Sequence, residues 1–349
     1  MKICVIGPVA TRDRTGGVAT FVEGLADGFT EIGHGVIILT NQADKCKTEA
    51  GTQIVNLECS RKSKFITQTK KYLRENTQDI IIGSTWYDLA LCIDSKISGK
   101  KIHYLHGFGI PRDGLIRAFA IAINDKLHKR NCFLIANSSF TKMINEIFYR
   151  TKVDAVIPIG ISHAFKEATF NVEPKKQKEL DVIYVGRVRF NKGPEKIIDA
   201  LQYIREKYRV ELNCAMVGDG PQLPECKEKC QKAKLNILFT GKLEQSEIVK
   251  YYKESKVFVS LDPKEPYGQT FIEALMCGCN IVCPSSGGQI EYLAAYKDYC
   301  QIADCYSVPS IGEAIYTAYL KKNIPVDSDK IFQEHSYERV AENIIHCLD

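Results

Sequence analysis

Short apolar runs rich in Ile, Val and Leu recur along the chain at 3–6, 36–40, 54–57, 79–83, 102–105 and 132–136. Between them lie stretches with helical spacing, such as 17–32 and 63–76. Strands alternating with helices predict βαβ units on a parallel sheet. Apolar runs that are continuous rather than alternating fit a sheet covered on both faces. From Lys166 to Lys178 the pattern dissolves into charged and polar residues, which assigns a linker over 166–180. The alternation then restarts, with strands at 181–186, 210–217, 236–239, 256–260 and 279–283 and helices at 194–207, 221–233, 246–253 and 269–277. The predicted fold class is α/β: two Rossmann-like, doubly wound parallel-sheet domains, 1–165 and 181–335, facing across a cleft. Ligands of such folds gather at the carboxyl ends of the strands.

Composition narrows the class. The chain has 349 residues, 45% hydrophobic and 26% charged, enough for two domains that each bury a core. No apolar run approaches the ~18 residues a membrane-spanning helix needs. The opening Met1-Lys2-Ile3-Cys4-Val5-Ile6-Gly7-Pro8 reads as a first buried strand rather than a signal peptide. Of the 14 cysteines, Cys4, Cys92, Cys132, Cys214 and Cys347 sit singly in apolar stretches, where a thiol is a small hydrophobe. A reducing, cytoplasmic setting is the expectation. Cys277, Cys279 and Cys283 lie close together, and zinc ligation competes there with core filling. They straddle a helix end and a strand with no CxxC and no nearby histidine, which favours filling. The net charge of +5 is uneven: residues 1–170 hold 23 Lys and Arg against 16 Asp and Glu, the remainder 24 against 26. An anionic surface or ligand is expected at the first half.

Glycine-containing turns after predicted strands carry the candidate chemistry. Gly16-Gly17 opens a helix, where unobstructed backbone amides make an anion site, but no GxGxxG follows the first strand and a dinucleotide fingerprint is absent. Gly186-Arg187 and Asn191-Lys192-Gly193-Pro194 follow the strand at 181–186, placing two cations five residues apart; a solvated surface pair explains them on their own, and a grip on one diphosphate is the functional alternative. Gly218-Asp219-Gly220-Pro221 is explained as a helix-start turn alone. The strongest local signal is Glu265-Pro266-Tyr267-Gly268-Gln269-Thr270-Phe271-Ile272-Glu273. One carboxylate precedes a helix and the second lies about a turn inside it. Gly268 permits close backbone approach, and the amides of Gly268, Gln269 and Thr270 point the positive helix end at a ligand. Glu265 and Glu273 then flank an anion site, each suited to accept hydrogen bonds from sugar hydroxyls.

With these residues the sequence resembles the retaining glycosyltransferases of the GT-B fold, specifically glycosyltransferase family 4 (glycosyl transferases group 1). The matched features run nearly end to end: Gly16-Gly17-Val18; His106-Gly107; Ala136-Asn137-Ser138-Ser139-Phe140-Thr141; Val185-Gly186-Arg187 with Asn191-Lys192-Gly193; Gly218-Asp219-Gly220-Pro221; the E-x7-E span; and Gly287-Gly288 with Glu291. The resemblance implies that Arg187 and Lys192 bind the donor diphosphate and stabilise charge as the nucleotide leaves. It implies that Glu273 takes the ribose hydroxyls, Glu265 a hydroxyl of the donor sugar, and that Gly17 brings its backbone near the diphosphate. His106 lines the site near the transferred sugar. Catalysis then falls to Arg187, Lys192, Glu265 and His106. Donor binding falls to Gly16, Gly17, Gly186, Arg187, Lys192, Gly218, Lys242, Glu265, Tyr267, Gly268, Gln269, Thr270 and Glu273. The resemblance implies no cofactor and no metal; the co-substrate is a nucleotide diphosphate sugar, UDP before GDP. Two departures stand out. Pro158-Ile159-Gly160-Ile161-Ser162 lacks the Asn and Asp many relatives carry there, and Cys277 and Cys279 replace residues that are usually Ala and a small residue or proline. A final helix, 336–347, is implied to cross back to the first domain.

The resemblance gives the donor to the second domain, so the basic first domain is expected to meet a saccharide or lipid-linked acceptor. Lys45, Lys47, Arg61, Lys62, Lys64, Lys70 and Lys71 are candidates, with Arg117, Lys126, Lys129 and Arg130 around the apolar stretch Leu115–Leu127. A basic amphipathic helix lies on an anionic leaflet, and the expectation is a peripheral membrane enzyme of surface polysaccharide or glycolipid synthesis. The competing readings are a non-catalytic sugar-binding subunit, which should have lost Arg187, Lys192, Glu265 and Glu273, and a nucleotide-sugar epimerase, which needs no acceptor. Nucleic-acid binding lacks a recognition motif.

Overall fold

In a computed structural model of the chain, the described residues are all but 12–15, 86–90, 92–93, 108–121, 123–131, 151, 172–177, 324–325 and 349. The chain divides into two compact units, one of Met1–Ser162 with Gln333–Asp349 and the other of His163–Phe332. The first unit carries β1 (Lys2–Ile6), α1 (Gly17–Glu31), β2 (Gly35–Thr40), β3 (Gln53–Asn56), α2 (Lys62–Glu75), β4 (Ile80–Gly83), β5 (Lys100–Leu105), β6 (Cys132–Ala136), α3 (Ser139–Tyr149) and β7 (Ala155–Val156). Its seven strands are parallel in the order β3-β2-β1-β4-β5-β6-β7.

The second unit begins with α4 (His163–Asn171) and β8 (Leu180–Val185) and continues through α5 (Pro194–Tyr208), β9 (Cys214–Val217), α6 (Leu223–Ala233), β10 (Ile237–Gly241) and α7 (Gln245–Glu254). It is completed by β11 (Ser255–Val259), α8 (Gln269–Met276), β12 (Asn280–Pro284), α9 (Gln289–Leu293), β13 (Cys300–Ala303), α10 (Val308–Leu320) and α11 (Ser328–His335), whose last residues reach the first unit. The order β10-β9-β8-β11-β12-β13 is again parallel throughout. The order reverses between β1 and β4 in one sheet and between β8 and β11 in the other. Chain leaving adjacent strands there turns in opposite directions and opens a crevice at the strand ends. Strands β4, β9 and β12 are buried at every position, as expected of sheets sandwiched by helices.

Three differences from the sequence reading have local causes. The segment read as the start of a linker at 166 is helical: Phe165 and Thr169, one turn apart, are buried in α4. Thr169 also accepts at its carbonyl from Lys253 of α7. Two inward positions are enough to fix a helix that a count of charges hides. Strand β9 starts at Cys214 rather than 210, because its ladder with β8 begins at the Val182–Cys214 pair. Among the cysteines, Cys4, Cys132 and Cys214 are buried as expected, whereas Cys347 is exposed past the last helix; Cys92 lies outside the described residues. Cys277, Cys279 and Cys283 are buried. The Cys279 thiol donates to the Tyr252 carbonyl at 3.1 Å, and burial pushes it up to about 11.

The chain returns to its first unit through α12 (Tyr337–His346), which packs on α1. The Ile161 amide donates to the His335 carbonyl at 2.7 Å, and Tyr337, 2% exposed, is the knob. Its socket is made of missing side chains. A Cβ at Gly24 would lie 2.1 Å from the Tyr337 ring, one at Gly160 2.7 Å from it, and one at Gly28 2.5 Å from its backbone. Gly24→Ala therefore forces the helices apart and costs about 1–3 kcal/mol, in the range of overpacked cores. Urea titration of the two proteins measures it. Gly17→Ala, whose Cβ meets nothing within 4 Å, brings no loss.

Candidate active site

The switch point of the second sheet is flanked by the loops after β8 and β11, and both hold candidate residues. The β8 loop is shaped by close backbone approach. The Tyr184 hydroxyl donates to the Arg187 carbonyl at 2.6 Å. A Cβ at Gly218, after β9, would lie 2.0 Å from the Gly186 carbonyl oxygen. The Gly218 amide donates to the Gly241 carbonyl at 2.8 Å, so the turns carrying Gly186, Gly218 and, one residue past Gly241, Lys242 abut at one end of the sheet. Lys242 is exposed. A short 3-10 turn, Phe190–Lys192, and left-handed Gly193 (φ 68°) lead into α5, with Pro194 at its first turn, where the absent N–H costs nothing. The Arg187 side chain is exposed and forms no ion pair among the described residues.

Lys192 behaves differently. Its ammonium is hydrogen-bonded to Glu265 and lies 3.2 Å from Oδ2 of Asp262, both on the β11 loop. Asn191 donates to the same Asp262 oxygen at 2.7 Å, and the Lys264 amide to the other at 3.0 Å. Burial works against the charge on Lys192, but the two carboxylates outweigh it and raise its pKa. Arg187 and Lys192, read together as one pair of cations, thus have separate surroundings: one free in solvent, the other held by two carboxylates.

The rest of the β11 loop is pinned from β12 and α9. The Gly288 amide donates to the Glu265 carbonyl at 2.8 Å, and the Ser286 hydroxyl to the Pro263 carbonyl at 2.9 Å. Left-handed Gly268 (φ 82°) caps α8 without a side-chain oxygen, and a Cβ there would strike Phe271 at 2.7 Å. Its carbonyl accepts from the Tyr292 hydroxyl at 2.5 Å. Gln269 and Thr270 form the first turn of α8 and are partly buried. Tyr267 is buried, its ring 5.2 Å from that of Tyr292. Burial raises the pKa of its phenol, with Glu291 adding to the shift. Glu273, one turn further along α8, is partly buried and accepts from the Tyr252 hydroxyl at 3.4 Å. Desolvation lifts its carboxyl to about 7, against the Tyr252 hydrogen bond that lowers it.

The first unit holds the other candidates. Gly16 is extended and, like Gly268, caps its helix α1 without a side chain. His106 follows β5, its ring 4.4 Å from Phe21, edge-on, and 5.1 Å from Tyr104. Burial, with neighbouring His103 adding to it, lowers its pKa to about 3. The imidazole is neutral at physiological pH and exchanges hydrogen bonds as a neutral group. Among the acceptor candidates, Lys45 pairs with Glu23 at 2.6 Å and Lys70 with Asp94 at 3.5 Å. Arg117, Lys126, Lys129 and Arg130 lie outside the described residues.

Asp262 is the member of this site that motif reading missed, and Asn191 stood in a motif without a role of its own. The usable signal was an acidic residue within three positions of a strand's carboxyl end, in a loop already suspected of binding.

Comparison with known proteins agrees with the fold. Residues 165–337 match the family model of glycosyl transferases group 1. The chain is 24% identical to the alpha-monoglucosyldiacylglycerol synthase of Streptococcus pneumoniae over 94% of its own length and 80% of that protein's. It is 25% identical to the enzyme of the same name from Acholeplasma laidlawii over 76% of each. Among solved structures it resembles sucrose-phosphate synthase of Thermosynechococcus elongatus, with a TM-score of 0.77, 17% identity and coverage of 99% and 97% of the two chains. It also resembles HepE of Anabaena in complex with UDP and glucose, with a TM-score of 0.75, 15% identity and coverage of 100% and 99%.

The Glu273 carboxyl sets a pH test of the site. A folded value of about 7 exceeds that of an unfolded glutamate, so the protonated form is the one folding favours. Its contribution is full below about pH 4.5 and is lost as pH rises through 7. Glu273→Gln, which is uncharged at every pH, is expected to gain roughly 1–3 kcal/mol of stability over the parent at pH 8 and none at about pH 4. Unfolding free energies at the two pH values check it. Two parallel sheets, a cation held by carboxylates at a switch point, and the relatives matched over most of the chain lead to one conclusion: the chain is a glycosyltransferase of the GT-B fold whose residues 165–337 match glycosyl transferases group 1.

Proposed function

We propose that the protein transfers a sugar from a nucleotide diphosphate sugar, UDP-linked before GDP-linked, to a saccharide or lipid-linked saccharide, retaining the anomeric configuration and without a metal. The observation that carries this reading is the pairing of Lys192 with Glu265 at the switch point, with exposed Arg187 on the same loop and the uncapped start of α8 following Glu265. Arg187 and Lys192 supply positive charge to a diphosphate. Glu265 accepts from a sugar hydroxyl and Glu273 from the ribose.

In the reaction, the acceptor hydroxyl oxygen bonds to the anomeric carbon from the side that the phosphate oxygen leaves. The bond from that carbon to the phosphate oxygen breaks with its electron pair going to the phosphate, which takes up the hydroxyl proton. The dominant protein contribution is stabilisation of charge on the departing diphosphate. Removing one such donor group costs about 100-fold or more in kcat in comparable sites, and Arg187→Ala is expected to match that while leaving the unfolding midpoint unchanged, because its side chain is exposed. Nucleotide release over a panel of UDP- and GDP-sugars, with and without EDTA, measures it. An inverted linkage in the product ends the retaining reading, and inhibition by EDTA ends the metal-independent one. Interconversion of a donor with no acceptor present favours the epimerase, and binding without turnover the non-catalytic subunit.

Glycolipid or cell-surface polysaccharide synthesis is the setting we favour, because two of the relatives matched over most of the chain are named for a diacylglycerol glycolipid. Among the described residues no helix is long and apolar enough to cross a membrane. Contact with an anionic leaflet through the basic residues of the first unit is the route proposed to such an acceptor. In liposome flotation the protein is expected to rise with vesicles containing an anionic lipid. Failure to rise, with full activity on a soluble sugar, removes the membrane reading.

A further inference from the structure

We propose that Asp262 is a positioning residue of the donor site: it holds Lys192 in place so that Glu265 and a donor phosphate oxygen can both use the same ammonium. This rests on the donor reading above and adds to it a residue that no glycine motif marks.

The argument starts from valence. An ammonium carries three N–H donors and no acceptor. Two are directed at Asp262 and Glu265, which leaves the third for a phosphate oxygen, and Lys192 keeps 24% of its side-chain surface open to receive it. The two carboxylates are not equivalent. Asp262 is the inner one, its side chain 6% exposed against 15% for Glu265. Both Asp262 oxygens are committed, one to the Lys264 amide and the other to Asn191 and Lys192, so its carboxylate cannot rotate. Its backbone carbonyl also accepts from the Glu265 amide at 3.2 Å. Glu265 reaches Lys192 on a longer side chain and turns to a sugar hydroxyl without disturbing that framework.

There is also a reason for a fixed carboxylate at this place. A lysine stem has four rotatable bonds and loses much rotamer freedom when held. An ammonium tied only to Glu265 would be released whenever Glu265 turned to the sugar. Asp262 keeps the cation where charge develops on the leaving diphosphate, and preorganisation of that kind acts mainly on the transition state. The cost is one more negative charge beside an anion site. Removing that charge therefore leaves diphosphate binding intact or tighter while slowing turnover, which is the signature that separates positioning from support of the fold.

Asp262→Asn keeps an acceptor for the Lys264 amide and removes the charge. With the best donor of the sugar-nucleotide panel, kcat is expected to fall about tenfold or more, while UDP affinity by calorimetry stays within about threefold of the parent or improves. The alkaline limb of the kcat profile moves to lower pH, since Lys192 has lost one of the carboxylates that raise its pKa. Asn191→Ala, which loosens the same oxygen without touching the charge, lowers kcat by a smaller factor and is less than additive with Asp262→Asn. It serves alone if the Asn variant does not fold. A kcat within twofold of the parent, a loss of UDP binding that equals the loss of kcat, or an unmoved alkaline limb overturns the proposal. A parent protein that binds no UDP or GDP and releases no nucleotide overturns the donor reading and this inference with it. An active parent with unaffected variants overturns this inference alone.

Discussion

One ammonium shared between two carboxylates organises the end of the second sheet. Lys192 leaves the β8 loop and meets Glu265 and Asp262 on the β11 loop, and β8 and β11 are the neighbours at which the strand order reverses. The ion cluster therefore closes the crevice that the topology opens. Burying a cation is costly unless it is paired; here the Asp262 carboxylate is itself held by Lys264 and Asn191, and the Glu265 backbone by the bond its carbonyl accepts from Gly288. The cluster is satisfied as a network, which is the condition under which buried charge specifies a geometry rather than loosening it.

Most of the fold was legible because a parallel sheet covered on both faces writes its strands as uninterrupted apolar runs. The runs at 3–6, 102–105 and 132–136 fall within β1, β5 and β6. Glycine turns were legible for a different reason. Gly218 and Gly268 sit where a Cβ would strike a carbonyl or a ring, so their identity is dictated by sterics alone. Asp262 was not legible, because a lone aspartate in a loop is ordinarily solvated. What distinguishes it is the Lys192 side chain seventy positions earlier in the chain, which no local pattern reveals. Helix α4 was hidden likewise, since the buried Phe165 and Thr169 stand among charged and polar residues.

The candidate residues also differ in electrical character. The first unit supplies a neutral imidazole at His106, held so by burial beside Phe21 and Tyr104. The second supplies a fixed cation at Lys192, an exposed one at Arg187 and a carboxyl at Glu273 poised near neutrality. A chemistry that develops charge on a leaving diphosphate draws on the second set. A neutral hydrogen-bonding group suits the recognition of uncharged hydroxyls.

The socket around Tyr337 has a consequence for how the protein is made. Helix α1 leaves the ribosome before the second unit, and the tyrosine that fills its glycine groove leaves after it. Translation at roughly 5–20 residues per second separates the two by tens of seconds. During that interval the second unit, whose residues are contiguous, is free to fold while the first waits with an open groove. The order of synthesis thus differs from the order of completion. A nascent chain stalled before Tyr337 presents an unfilled apolar seam that a chaperone would be expected to cover.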